Sequence, residues 1–141
     1  MRVGKIEPEA LRHYVFPYLG ARRPDVLVHS QLGEDSAVID FGDEVCVVST
    51  DPITGAARNV GWIGVHVSCN DVASNGASPI GIQVMLLLPA GSSDEELERI
   101  MRQIDGAAKE LGIEVLGGHT ERTSNVSNPV LSVTAIGRAK R

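Results

Sequence analysis

Four short segments combine carboxylates or compact polar side chains with glycine or small residues. They are Gly33-Glu34-Asp35-Ser36-Ala37, Ser49-Thr50-Asp51-Pro52, Cys69-Asn70-Asp71-Val72-Ala73 and Gly117-Gly118-His119-Thr120-Glu121. Each lies within or beside a mainly apolar run, where an ionised side chain is costly without a partner. If folding gathers Asp35, Asp51 and Asp71, their repulsion calls for a cation, and hard carboxylate oxygens suit Mg²⁺. Neighbouring glycines let a phosphate chain approach the backbone. The pattern points to a magnesium-nucleotide site. Taken singly, Asp35 or Asp51 reads first as a turn or capping residue. Asp71 resists that reading, because it falls in an expected buried helix, where Asp is a poor helix former and an acid needs a partner. The Gly117-Gly118 pair offers backbone N–H groups to an anion. It is common in loops and gains weight only beside the three acids.

The elements that must position these residues follow from periodicity. Leu11, Tyr14, Val15, Tyr18 and Leu19 predict a helix over Pro8–Leu19, weakened at Pro17. Residues 22–31 read as a loop with a short extended piece. Ala37–Asp40 and Glu44–Thr50 read as strands joined by a Phe41-Gly42-Asp43 turn, with Pro52 breaking the second. Pro52–Asn59 reads as a polar loop long enough to fold over a ligand. Gly61–Asn75 is apolar on more than one face, and its length favours a buried helix ended by Asn75-Gly76. Ile80–Leu88 reads as a core strand. From Asp94 to Leu111 a single apolar face, a Ser93/Glu96 capping box and Gly112 define a helix whose acidic first turn suits its dipole. Ile113–Leu116 and Val130–Ile136 complete the strands, with Gly117-Gly118 directly after the first and a polar loop over Thr123–Pro129. The expected class is α+β, helices packed on a mixed sheet. The strands are too apolar for a sheet with one wetted face, so a second subunit is expected to cover what the few helices leave bare.

At 141 residues the chain fits one domain, spanning 1–141, with enough length for a real core. A formal net charge of -5 argues against a general nucleic-acid surface. No apolar run approaches the roughly 20 residues needed to span a bilayer, and the N-terminus lacks a signal-peptide core. Neither nucleic acid nor membrane is therefore expected as a partner, and the cytoplasm is the default location. Cys46 and Cys69 form no C-x-x-C pair, sit among apolar residues and are expected to be buried and reduced; zinc is not expected.

The segments Gly-Glu-Asp-Ser-Ala-Val (33–38), Ser-Thr-Asp-Pro-Ile-Thr (49–54), Asn-Asp-Val-Ala-Ser-Asn-Gly-Ala-Ser-Pro (70–79) and Gly-Gly-His-Thr-Glu (117–121) occur in that order. Together they resemble the N-terminal domain of the aminoimidazole ribonucleotide (AIR) synthase superfamily, most nearly its HypE-like, AIR synthase-related members. The resemblance implies ATP and Mg²⁺ as cofactors and a homodimer whose sheets close into a shared barrel near the nucleotide. It implies Asp35, Asp51 and Asp71 as acids that hold magnesium and phosphates, with Asp51 and Asp71 central to catalysis. Gly33, Thr50, Asn70, Gly117, Gly118, His119 and Glu121 match segments around the nucleotide. Lys5, in a flexible N-terminal segment, is positioned either to reach a phosphate or simply to be solvated. Glu34 replaces an Asp common in the family, and its longer side chain is a further candidate ligand. His119 stands where several relatives carry Asp, leaving a ligand absent or supplied by Glu121. The family continues into a C-terminal α/β domain that helps form the active site; this chain closes at Arg141, so that domain is an expected missing partner.

The implied reaction is ATP-dependent phosphorylation of an amide, carboxamide or similar oxygen on a small-molecule or carrier-protein acceptor. Two other readings use the same residues. One is a dimeric nucleotide-binding or assembly module without turnover, and the other is a two-metal phosphate-ester hydrolase.

Overall fold

The computed structural model describes residues 3–54 and 58–141. The two helices that matter to the site form where the periodicity puts them. Helix α3 (Asp94–Leu111) starts with the Ser93 hydroxyl accepting from the Glu96 N–H at 3.2 Å and ends at Gly112 in the left-handed region. Its buried residues Ile100, Ile104, Ala107 and Ala108 form one stripe, as a half-buried helix requires. Helix α2 (Val60–Ser74) is apolar on several sides because it lies between the sheet and α3, burying Val65, Ser68, Cys69 and Val72. Gly76 takes φ 75° just beyond it.

Six strands form one sheet: β1 (Val26–Val28), β2 (Ser36–Asp40), β3 (Glu44–Ile53), β4 (Ser78–Pro89), β5 (Glu114–Thr123) and β6 (Val130–Lys140). Their spatial order is β1-β2-β3-β6-β4-β5. Only β4 and β5 run parallel, joined through α3, so the sheet is mixed. Helices α2 and α3 cover one face. Between them and the sheet lies a core of Val47, Ile82, Leu86, Leu88, Leu131 and Val133 against Val65, Val72, Ile100 and Ile104. Strand alternation sends the intervening side chains to the other face, where Val48 and Ile136 are half-buried and Thr50 and Met85 exposed. No described element covers that face. The α+β class with helices on a mixed sheet is as the sequence predicts, and the sheet itself is open.

Three local expectations change. The N-terminal helix α1 stops at Tyr14 (Pro8–Tyr14), and a 3₁₀ turn (Phe16–Tyr18) follows, because Pro17 has no N–H to continue the ladder. Strand β3 passes through Pro52, which pairs with Ser132, and continues to Ile53. Strand β2 ends opposite Ser49, so β3 has a free edge by Pro52, where a residue without an N–H is tolerated. The glycines 117 and 118 do not lie beyond the strand: they sit inside β5, opposite Gln83 and Val84. Gly118 holds φ 145°, and a β-carbon there would fall 1.8 Å from the Val84 carbonyl oxygen, so only glycine lets the strands approach this closely.

Residues 55–57 of the expected ligand-covering loop lie outside the described residues. Both cysteines are free; Cys69 is buried, its thiol pushed up to about 11 by desolvation, whereas Cys46 is only half-buried because it faces the uncovered side of β3. Among the described residues no helix is long and apolar enough to cross a membrane.

Candidate functional site

Alternation along β3 places Val45, Val47, Ser49 and Asp51 on the helix side of the sheet. Helix α2 crosses above, and its last turn brings Asp71 over the same strand. Ser49, buried to 2% exposure, ties the segments together. Its hydroxyl lies 2.9 Å from the Asp35 carbonyl oxygen and 3.2 Å from Asp71 Oδ2. One hydroxyl proton serves one acceptor at a time, so Ser49 bridges the two acidic segments without saturating either. The Asp71 carbonyl oxygen accepts from Ser74 Oγ at 2.8 Å, Asn75 Nδ2 at 3.0 Å and, more weakly, Ser36 Oγ at 3.4 Å. Three donors fix the backbone that carries this acid.

Asp51 feels the convergence most. Its carboxyl is pushed up to about 6, chiefly by a hydrogen bond with Asp71, then by burial and by the charges of Asp71 and Asp35; Lys5 partly offsets the rise. Asp35 and Asp71 are thus both within electrostatic reach of Asp51. A cation beside Asp51 would relieve the repulsion that raises its carboxyl. The oxygen-only donor set fits Mg²⁺ in kind. Yet among the described residues no three His, Cys, Asp or Glu side chains are already gathered closely enough to hold a metal. That is compatible with Mg²⁺, which binds through one or two carboxylates and keeps waters and phosphate oxygens for its remaining positions.

Among the described residues, none of the other candidates makes a side-chain hydrogen bond to these acids. Glu34 is exposed and accepts from Gln31 at 3.5 Å, and Gly33, at φ 86°, shapes the same exposed loop. Asn70 is exposed on α2, one residue before Asp71, and Lys5 is exposed in the N-terminal segment. Thr50 points away from Asp51, to the open face, where its hydroxyl meets that of Thr134 at 2.8 Å. His119 lies on the same open face, its Nε2 2.7 Å from Glu121 Oε2. It borders a groove of about 370 Å³ lined by Gln83, Met85, Ser132 and Thr134. Within one chain, then, the acids occupy the helix side and Thr50, His119 and Glu121 the open side.

Sequence reasoning assigned no role to Ser49 or Ser36. The signal for Ser49 was present, since its place in the β3 alternation makes it inward-facing, and a buried hydroxyl needs a partner. For Gln83, Ser132 and Thr134 no local signal existed, because only the strand order brings them to His119.

The sequence profile described as "AIR synthase related protein, N-terminal domain" matches residues 33–139, and the chain belongs to that family. A protein of Methanocaldococcus jannaschii whose name refers to hydrogenase expression/formation is 27% identical over 143 residues, covering 98% of this chain and 43% of its own length. The selenide, water dikinase of Carboxydothermus hydrogenoformans is 30% identical over 120 residues, covering 82% of this chain and 35% of the kinase. Among solved structures, the hydrogenase maturation protein HypE in complex with ATP superposes with a TM-score of 0.62 at 26% identity, covering 90% of this chain and 36% of HypE. The chain thus spans less than half the length of these relatives.

Proposed function

We propose that this chain is the Mg-ATP-binding part of a HypE-like, cytoplasmic enzyme that uses ATP to phosphorylate, and so activate, an oxygen of a small or carrier-bound acceptor. The observation that carries the proposal is the Ser49 hydroxyl, 2.9 Å from the Asp35 carbonyl oxygen and 3.2 Å from Asp71 Oδ2, beside an Asp51 carboxyl that Asp71, burial and Asp35 push up to about 6. Family membership and the likeness to ATP-complexed HypE and to a dikinase support it. Asp51, Asp71 and Asp35 would hold Mg²⁺, which supplies charge neutralisation for the phosphates and alignment for transfer. Ser49 keeps the Asp35 and Asp71 segments at fixed separation, and Lys5 brings a positive charge beside the acids for a phosphate oxygen. Gly33 and Asn70, two residues before Asp35 and one before Asp71, would face the nucleotide from the segments that carry those acids.

Two partners belong to this reading. A second copy covering the open face would bury Val48, Ile136 and Leu116 and join the faces that carry Thr50, Gly117, Gly118, His119 and Glu121. A further domain is the natural cover for the flank of α2 where Ile63 and Val67 lie half-buried in line with Asp71.

The test is calorimetric titration of the protein with ATP, in Mg²⁺ and again in EDTA, beside Asp51→Asn and Asp71→Asn. We expect binding that needs Mg²⁺ and weakens at least about tenfold in each variant, the scale of losing a charged ligand. Equal binding in EDTA, untouched by either substitution, overturns the site. Among the described residues no three ligands are ready-gathered, which favours a second reading, a nucleotide-binding module without turnover. Mg-dependent binding with no phosphate release or transfer would select it.

A further inference from the structure

A second cavity lies at the far edge of the sheet, between the N-terminal segment and β1. Helix α1 and the 3₁₀ turn bury no residue, so this segment stands off the sheet instead of packing on it. Gly20, at φ 76°, turns the chain so that the following residues run back toward β1. The gap left between Phe16, Leu19 and Val28 is about 420 Å³. Apolar side chains that face a gap forgo the contacts they would make across a filled one.

The polar lining is equally uneven. Arg23 is neutralised by Asp25 through paired bonds of 2.8 Å and 2.8 Å. Arg22, His29 and Ser30, which line the same cavity, make no side-chain hydrogen bond or ion pair among the described residues. An exposed guanidinium, a half-buried imidazole and an exposed hydroxyl thus border a largely apolar gap in a chain whose formal net charge is -5. Few polar groups on apolar walls make a small-molecule site. A planar guanidinium favours an oxyanion, and Phe16 with aliphatic neighbours favours a flat ring.

We propose that the cavity bounded by Phe16, Leu19, Arg22, Val28, His29 and Ser30 binds a small aromatic or heteroaromatic molecule bearing one phosphate or carboxylate. Arg22 and Ser30 hold the anion, and the apolar wall takes the ring. The cavity lies against β1 at the sheet edge, whereas the acid cluster is built on β3 and the last turn of α2.

Amide NMR titration with phenyl phosphate, and separately with inorganic phosphate, tests this. The expected result is saturable shifts confined to residues 16–30 and 37, with phenyl phosphate binding at least about tenfold more tightly than inorganic phosphate. Arg22→Ala, at an exposed position with no partner to lose, weakens phenyl phosphate about tenfold and leaves Mg-ATP binding unchanged. Unsaturable shifts, equal affinity for the two probes, or insensitivity to Arg22→Ala each overturn the proposal. Phenyl phosphate shifts centred on Asp51 and Asp71 do so as well, by assigning the anion to the acid cluster.

Discussion

Asp51 sits where three negative charges would meet, and its titration carries a stability consequence with a definite sign. Its carboxyl ionises near the usual 3.8 in the unfolded chain and at about 6 in the folded one. Between those values the native state holds a proton that the unfolded state has released, so stability falls as pH rises through this window. Above about pH 7 the full penalty is present. A two-unit rise nominally corresponds to about 3 kcal/mol; because Asp51 is only half-buried, screening reduces this to about 1 kcal/mol. Asp51→Asn keeps a hydrogen-bond donor toward Asp71 and removes the charge. Thermal melts should show the variant about 3 °C above the parent at pH 7.5 and level with it at pH 4. Added Mg²⁺ should raise the parent's midpoint at pH 7.5, with the gain shrinking toward pH 5 as Asp51 takes up its proton. A variant that melts below the parent at both pH values would show that the acids do not repel one another.

Strand β5 sets the geometry of the glycine segment. Gly118 pairs with Val84 at a separation that leaves no room for a β-carbon, and its backbone lies where side chains are strained. Gly118→Ala must therefore push β5 away from β4, and a loss of at least about 3 kcal/mol is expected from this mechanism. Urea unfolding measures it. Gly106, inside α3, is the internal control: nothing lies within 4 Å of a β-carbon there. Gly106→Ala should stabilise by about 0.5–1 kcal/mol through helix propensity alone. If both substitutions gave similar small effects, the close approach of β5 to β4 would be wrong. The same strand explains why His119 reaches the open face: glycine at 117 and 118 lets the chain stay extended, and His119 then stands beside Met85.

At the largest scale the described residues form a sheet with α2 and α3 on one side and no described element over the other. Along β6 the bare side presents Ser132, Thr134, Ile136 and Arg138, with Val48 of β3 paired beside Ile136. A second copy seals such a surface more readily than water does. Light scattering at micromolar concentration should report a dimer, and Ile136→Glu should yield a monomer whose circular dichroism is unchanged. A parent protein that stays monomeric at those concentrations would remove the homodimer from the proposal. The sequence by itself determined the helix over Asp94–Leu111, the buried helix around Asp71 and the β2–β3 hairpin, because capping residues, apolar spacing and turn glycines act locally. It also singled out Asp35, Asp51 and Asp71, since charged residues among apolar ones stand out in any order of strands. Only tertiary structure decided that β6 inserts between β3 and β4, that Pro52 and the Gly117-Gly118 pair lie within strands, and that Ser49 bridges two acidic segments. It also separated Asp51 from Thr50 and His119. Strand neighbours and sheet faces depend on contacts between residues far apart in the chain, and local propensity carries no record of them.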